Sequence, residues 1–385
     1  METSRRRLFR LLGIFLWASV LLATDFGSRQ LFRRLSPPKD QTGPVDGGSA
    51  IARPGDPGHV APQHRMADPV FHHGLRPHTF GTDVFGDTRT DYYVNSAGFR
   101  DGSMRNVDLA SPQKKILILG DSYAEGIGVP WEKTMAGVLQ RQFAPQGVEV
   151  LNAAVASYCP SLMLAKLRQL YTRDRLRADV IVVFIDISDV EDELTYQALD
   201  PEGFRLRPSS PFQDSAYQTR DYAAIEWMKK NIEKNFTLMG AASRNLRLLW
   251  RHWGSPGGTP ELTRGRWPEY RGPGEPLIRQ GLEKAAQAMD GIVGLAQAHG
   301  ARALVVIYPW QEQVESGKRP SPMEVFWEGW AEKRRIKLVN FFPWMVGMGK
   351  SFETTLCIPG DGHWNEAGHA AVAERLKPEI QLMLP

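Results

Sequence analysis

The chain has 385 residues, 42% of them apolar and 23% charged, which is enough apolar content for a sizeable folded core. A formal charge of +4 is mild, and the Lys and Arg residues are spread along the chain without an aromatic-interleaved patch. That distribution argues against nucleic acid as a partner.

The first element is an apolar run from Leu11 to Ala23, preceded by the arginine-rich stretch Ser4 to Arg10 and closed by Asp25. It opens the chain like an export signal or membrane anchor, although it is shorter than the roughly 20 residues of a comfortable span. The paired arginines also resemble a twin-arginine export signal, with Leu8-Phe9 in reversed order. No small-x-small cleavage site lies near Ala23, so residues 1–26 are expected to remain as a signal anchor or transmembrane segment in the inner membrane. The folded part is expected outside the cytoplasm, periplasmic or extracellular. Residues 27–69 contain P-V-D-G-G-S and R-P-G-D-P-G-H and show no sustained period, which predicts a disordered tether. His59, His64, His72, His73 and His78 have no regular ligand spacing, so they are read as ordinary histidines and no metal is expected.

The rest, 70–385, is expected to be one domain. In its preamble, 70–113, Tyr92 to Asn95 alternates weakly and reads as an edge strand, with a turn at Gly98-Phe99-Arg100. Ile116 to Leu119 is a strand apolar on both faces, ending abruptly at Gly120-Asp121-Ser122. A helix follows over Trp131 to Phe143, a second strand over Val148 to Leu151, a helix over Ser161 to Tyr171 and a third strand over Val180 to Ile185. Residues 191–276 interrupt this rhythm with Pro/Gly-rich loops and a helical pattern over Ala223 to Trp253, a lid-like insertion. The alternation then resumes: a helix over Leu277 to Ala298, a strand over Ala303 to Tyr308, and a fifth over Ile336 to Val339. A final helix runs from Glu366 to Leu384, kinked or broken near Pro378. Strands alternating with helices predict an α/β fold with a parallel sheet covered on both faces.

A strand-terminating serine becomes a nucleophile only with a base and an anionic group to orient that base. Asp361 and His363 lie in a glycine-flanked loop before the last helix, within C-I-P-G-D-G-H-W-N-E-A-G-H. Four blocks, G-D-S-Y, N-A-A-V-A-S-Y, D-I-S-D and D-G-H-W-N-x-x-G-H, together resemble those of SGNH (GDSL-type) hydrolases over about Lys114 to Leu384. The preamble V-N-S-A-G-F-R-D is similar to a lead-in of membrane-anchored bacterial members, and D-x-H-W resembles alginate-type polysaccharide O-acetyltransferases. The resemblance implies a flavodoxin-like three-layer α/β/α sandwich. It implies Ser122 as nucleophile, His363 as base, Asp361 as its orienter, and the Ser122 N–H as one oxyanion donor. It also implies that Ser157 and Ser188 stand where the family has an oxyanion-hole glycine and asparagine. A Cβ at 157 disfavours a positive φ, and a hydroxyl at 188 has a shorter reach than an amide. Asp121 reads as a residue bonding nearby backbone, Asp186 and Asp189 as loop caps, and Trp364 as packing beneath a loop.

Cys159 and Cys357 both fall in loops at the same end of the sheet, so in an exported protein they are expected to form a disulfide. The expected function is that of an extracytoplasmic serine esterase or O-acyl(acetyl)transferase acting through an acyl-serine on carbohydrate or envelope esters, with no cofactor. The alternative is a catalytically weak or inactive module that binds glycan or scaffolds an envelope complex. The expected partners are an ester or acylated carbohydrate, the membrane through the N-terminal helix, and a membrane acyltransferase docked on the insertion.

Overall fold

The preamble builds more structure than one edge strand. In the computed structural model, which describes residues 64–85, 88–200, 203–206, 275–359 and 361–385, all within one compact unit, five strands precede the first parallel one. Strands β1 (Arg65–Asp68) and β2 (His72–Leu75) pair with each other alone. Strands β3 (Thr79–Phe85), β4 (Thr88–Val94) and β5 (Arg100–Asp101) join the main sheet as an antiparallel extension.

The main chain of elements is β6 (Lys115–Leu119), α1 (Ser122–Glu125), α2 (Met135–Phe143), β7 (Glu149–Asn152), α3 (Pro160–Thr172), β8 (Val180–Ile185) and α4 (Ser188–Thr195). A hairpin of β9 (Tyr196–Asp200) and β10 (Gly203–Leu206) follows. The fold then continues through α5 (Glu275–Ala298), β11 (Arg302–Ile307), α6 (Gln311–Ser316), α7 (Pro322–Arg334), β12 (Lys337–Asn340), α8 (Phe342–Met348), α9 (Ser351–Leu356) and α10 (Glu366–Gln381).

Across the eight-stranded sheet the order is β12-β11-β8-β6-β7-β5-β4-β3. The strands β7, β6, β8, β11 and β12 are mutually parallel, and in chain order they stand second, first, third, fourth, fifth, the flavodoxin-like arrangement. The parallel strands from β6 to β8 are buried at every position, which follows from helices covering both faces. One core face holds Ile116, Ile118, Val150, Val182, Phe184, Leu304 and Val306 with residues of α2, α8, α9 and α10. Leu117, Leu119, Ile181, Val183 and Val305 alternate to the other face, where α3, α4 and α5 pack on one another. From β6 the chain moves outward to β7 and then crosses to β8 on the other side. Such a reversal leaves a crevice at the carboxyl ends of the strands on either side of it.

Two expectations need correction. Helix α10 runs without a break through Pro378, although the proline has no N–H to donate to the Glu374 carbonyl. In the expected 191–276 insertion, the end of α4 and the β9–β10 hairpin occupy the first part, and residues 207–274, with the expected Ala223 to Trp253 helix, lie outside the described residues. Residues 1–63, with the expected anchor and most of the tether, lie outside them too; no described helix is long and apolar enough to cross a membrane.

The second correction is the disulfide. Cys159 and Cys357 are both free, buried thiols. Lying at one end of the sheet does not bring two Cβ atoms to the ~3.8 Å that a bridge needs. Cys357 belongs to the core face with α9 and α10, whereas Cys159 caps the start of α3 next to Glu193 of α4, on the other face. Burial pushes the Cys357 thiol up to about 12 and raises that of Cys159 well above the ordinary range, so both stay protonated.

Candidate active site

Ser122 opens α1 where β6 ends. Asp121 caps this turn, its Oδ1 accepting the Tyr123 N–H at 3.1 Å, and the Glu125 N–H closes the turn onto the Asp121 carbonyl at 2.8 Å. A side chain at Gly120 would lie 2.6 Å from the Ala124 Cβ and 3.0 Å from the Phe184 Cβ, so only glycine lets strand and turn approach this closely. As the first helical residue, Ser122 has an N–H with no partner inside the helix, and none accepts it among the described residues.

The loop between α9 and α10 delivers the base. His363 Nε2 lies 2.8 Å from Ser122 Oγ, and His363 Nδ1 bonds Asp361 Oδ1 in a short contact. Asp361 Oδ1 also accepts the His363 N–H at 3.1 Å. With Nδ1–H given to the carboxylate, Nε2 presents its lone pair to the hydroxyl proton, which is the alignment a general base requires. The loop is pinned by Ile358 N–H to His363 O (2.7 Å), by an isolated bridge between Cys357 and Trp364, and by Asn365, which caps α10 through the Gly368 N–H at 2.9 Å. Gly362 takes φ +99°, a backbone conformation that L side chains rarely adopt. The Tyr123 ring stacks on the His363 ring with centroids 4.5 Å apart, and its hydroxyl donates to Gly362 O at 3.1 Å. Trp364 is fully buried against Tyr123 and Tyr308, so it packs beneath the loop as the sequence suggests. His369, in the same motif, is a core residue whose pKa burial lowers to about 3.

On the other flank of Ser122 runs the loop after β7. It lies alongside the end of β6, with Ala153 N–H on Ile118 O (2.9 Å) and Val155 N–H on Gly120 O (3.1 Å). Asn152 ties it to α1 by donating to Ala124 O at 3.0 Å. Glu125 Oε2 accepts the Ala156 N–H at 2.6 Å. Ser157 sits at φ +63°, in the left-handed region that a Cβ disfavours by about 1–2 kcal/mol, and its N–H has no acceptor among the described residues. The loop therefore keeps a glycine-like shape with a serine in it.

Ser188 is placed differently. Its N–H and its hydroxyl both bond Asp186 Oδ1 at 2.7 Å, and the residue is buried. The hydroxyl proton is thus committed to Asp186. Asp186, Asp189 and Asp121 form an acid cluster behind the nucleophile, with Tyr308 Oη 2.8 Å from Asp121 Oδ1 and 3.0 Å from Asp186 Oδ2. The Trp310 indole N–H also donates to Asp186, and Asp189 accepts the Asp186 N–H at 2.8 Å. Burial, then the charge and hydrogen bond of Asp186, raise the Asp121 pKa well above the carboxylate range; burial, Asp186 and Asp121 do the same to Asp189.

The buttress that sequence reading missed is Glu125. Burial would raise its pKa, but Arg65, Tyr92 and Arg100 outweigh that and hold it down at about 2. Arg65 reaches it through two contacts of 2.6 and 3.2 Å, and the Tyr92 hydroxyl donates to it at 2.5 Å. Arg100 secures the turn after it, donating to Glu125 O at 2.9 Å, to Gly126 O in a short contact, and to Val129 O at 2.5 Å. An acid three residues past the serine, on a buried turn, was the available signal, because a buried carboxylate demands a cationic partner.

No protein-family model matches the chain, and neither does any curated protein. Several solved structures are similar at low level. TesA has 16% identity and a TM-score of 0.36, with 70% of this chain and 99% of that chain covered. The psychrotrophic esterase EstA from Pseudoalteromonas sp., inhibited by monoethylphosphonate, has 15% identity and a TM-score of 0.35, covering 69% of this chain and 96% of that one. A member of the lipolytic G-D-S-L family from Veillonella parvula has 11% identity and a TM-score of 0.37, covering 70% and 98%. At these scores the resemblances carry no functional argument, which rests instead on the geometry around Ser122.

Proposed function

We propose that this chain is a serine ester hydrolase or O-acyltransferase of the SGNH type. The observation that carries the reading is the line Ser122 Oγ, His363 Nε2, His363 Nδ1, Asp361 Oδ1, assembled from residues 239 or more positions from the serine in the chain (361 − 122 = 239). In this mechanism Ser122 Oγ attacks an ester carbonyl while His363 Nε2 takes its proton and Asp361 stabilises the resulting imidazolium. The N–H groups of Ser122 and Ser157 receive the oxyanion. Collapse of the tetrahedral intermediate expels the alcohol, protonated by His363, and leaves an acyl-Ser122. Water as acceptor completes an esterase cycle; a sugar hydroxyl completes an O-acyl transfer. The side chains of His363 and Asp361 remain 22% and 15% exposed, so an acceptor can reach the base.

The finer reading is an enzyme tethered outside the cytoplasm through residues 1–26 and 27–69, acting on acetylated or acylated carbohydrate of the envelope, with the 191–276 insertion docking a membrane acyltransferase that supplies the acyl group. The leading arginines, the Pro/Gly-rich tether and the D-x-H-W loop support it. Co-purification of such a partner with the full chain, and its absence after deletion of 207–274, tests the docking.

A second reading, a glycan-binding or scaffolding module with a degenerate site, is favoured by one observation: the Ser188 hydroxyl is engaged by Asp186. A fluorophosphonate probe separates the two. Labelling of the wild-type chain that disappears in Ser122→Ala supports the enzyme, and a wild-type chain that does not label supports the module.

A further inference from the structure

Resting on the hydrolase reading, we propose that His73, a residue of the preamble, is a positioning residue that sets the oxyanion-binding orientation of the Ala156–Ser157 peptide. In a trans peptide the carbonyl and the following N–H point in opposite directions, so whatever holds the Ala156 carbonyl also aims the Ser157 N–H. His73 Nε2 lies 2.8 Å from Ala156 O. A carbonyl only accepts, so Nε2 carries the proton, and His73 Nδ1 accepts from His72 Nδ1 at 2.7 Å. The ring is fixed further by Tyr158, whose hydroxyl donates to His73 O at 2.6 Å and whose ring meets it edge-on at 5.1 Å. Burial lowers the His73 pKa to about 4, which keeps this tautomer neutral.

The neighbouring peptide is held separately, by Glu125 on the Ala156 N–H. With the Ala156 carbonyl held by His73 and the Tyr158 N–H closing the turn onto Val155 O at 3.0 Å, Ser157 takes the left-handed conformation despite its Cβ. The Ser157 N–H, with no acceptor among the described residues, then faces away from His73. A glycine reaches this shape unaided, whereas a serine here needs the preamble. That accounts for two features together: a departure from glycine at 157, and a half-buried histidine pair on β2 with His73 bonded to the loop.

Two near-isosteric variants test this. His73→Gln keeps a donor at the Nε2 position, and His73→Met fills the space without one. With an aryl acetate as substrate, His73→Met is expected to lose about 10²-fold in kcat with KM within about twofold, and to react with a fluorophosphonate about 10²-fold more slowly; His73→Gln should recover most of both. Wild-type kcat and labelling rate in His73→Met overturn the inference, as does an equal loss in the two variants. Ser122→Ala, run alongside, separates the readings: activity retained there removes the hydrolase assignment itself, while its loss together with a normal His73→Met removes only the role of His73.

Discussion

The two loops flanking Ser122 are held by different means. The base loop, Cys357 to Asn365, is fixed by contacts local to itself and by aromatic rings of the core: Tyr123 against His363, Trp364 beneath, Asn365 capping the next helix. The loop after β7, with Ala156 and Ser157, is fixed by charged and polar groups distant in sequence: Glu125 backed by Arg65 and Tyr92, and His73 on the carbonyl. Aromatic packing tolerates salt and pH, because little charge is involved. A buried carboxylate clamped by arginine is little screened by salt but is lost once acid protonates it. The comparison teaches that one site is built to two standards, a base side that the core guarantees and an oxyanion side that depends on the preamble folding over it.

Removing the base should give the largest effect. His363→Ala is expected to lower kcat by about 10⁶-fold, and Asp361→Asn by about 10⁴-fold, while both leave the thermal midpoint within a few degrees. Steady-state kinetics with a parallel melt would show it; a large loss of stability in either variant would mean that the base side is not held by the core. On the other side the balance reverses. Glu125→Ala removes the acceptor of the Tyr92 hydroxyl and the Ala156 N–H and the anion facing Arg65, and should lower the unfolding free energy by about 3 kcal/mol, read by urea denaturation.

The same clamp predicts a pH effect. The Glu125 pKa is depressed in the folded state, from an ordinary 4.5 to about 2, so its contribution is present above about pH 4.5 and lost as pH falls through 2. That span corresponds to about 3 kcal/mol of stability. In Glu125→Gln this part of the acid slope should vanish, and an unchanged slope would assign it elsewhere. Smaller effects follow. Tyr123→Phe, which loses only the bond to Gly362 O, should cost about 1 kcal/mol. Ser157→Gly should stabilise the chain by about 1 kcal/mol or less, because relief of the left-handed strain is partly offset by the freer unfolded chain.

Local pattern was enough for much of the architecture. Continuous apolar runs marked β6, β8 and β11, and helical spacing marked α2, α3 and α5, because burial on two faces or on one stripe leaves a direct trace in residue order. The serine and the Asp361–His363 pair were legible for a similar reason: each sits at a strand or loop end bounded by glycine. Four strands of the preamble were not: β1, β2 and β5 are short and carry His, Asp or Arg whose partners lie elsewhere in the chain, and β3 is an antiparallel edge strand interrupted by Gly81. The proposed disulfide failed on distance, a quantity that loop membership does not supply.

Sequence alone determined an α/β chain with a strand-ending serine and a distant acid–histidine pair, because periodicity and glycine placement are encoded residue by residue. Only the tertiary structure decided that the strands take the second-first-third-fourth-fifth order, that Cys159 and Cys357 lie on opposite faces, that the Ser188 hydroxyl belongs to Asp186, and that Ser157 is held at a positive φ between Glu125 and His73. Each of those depends on which groups meet across long sequence separations, where a buried carboxylate, carbonyl or thiol takes whatever partner the packed sheet puts within reach.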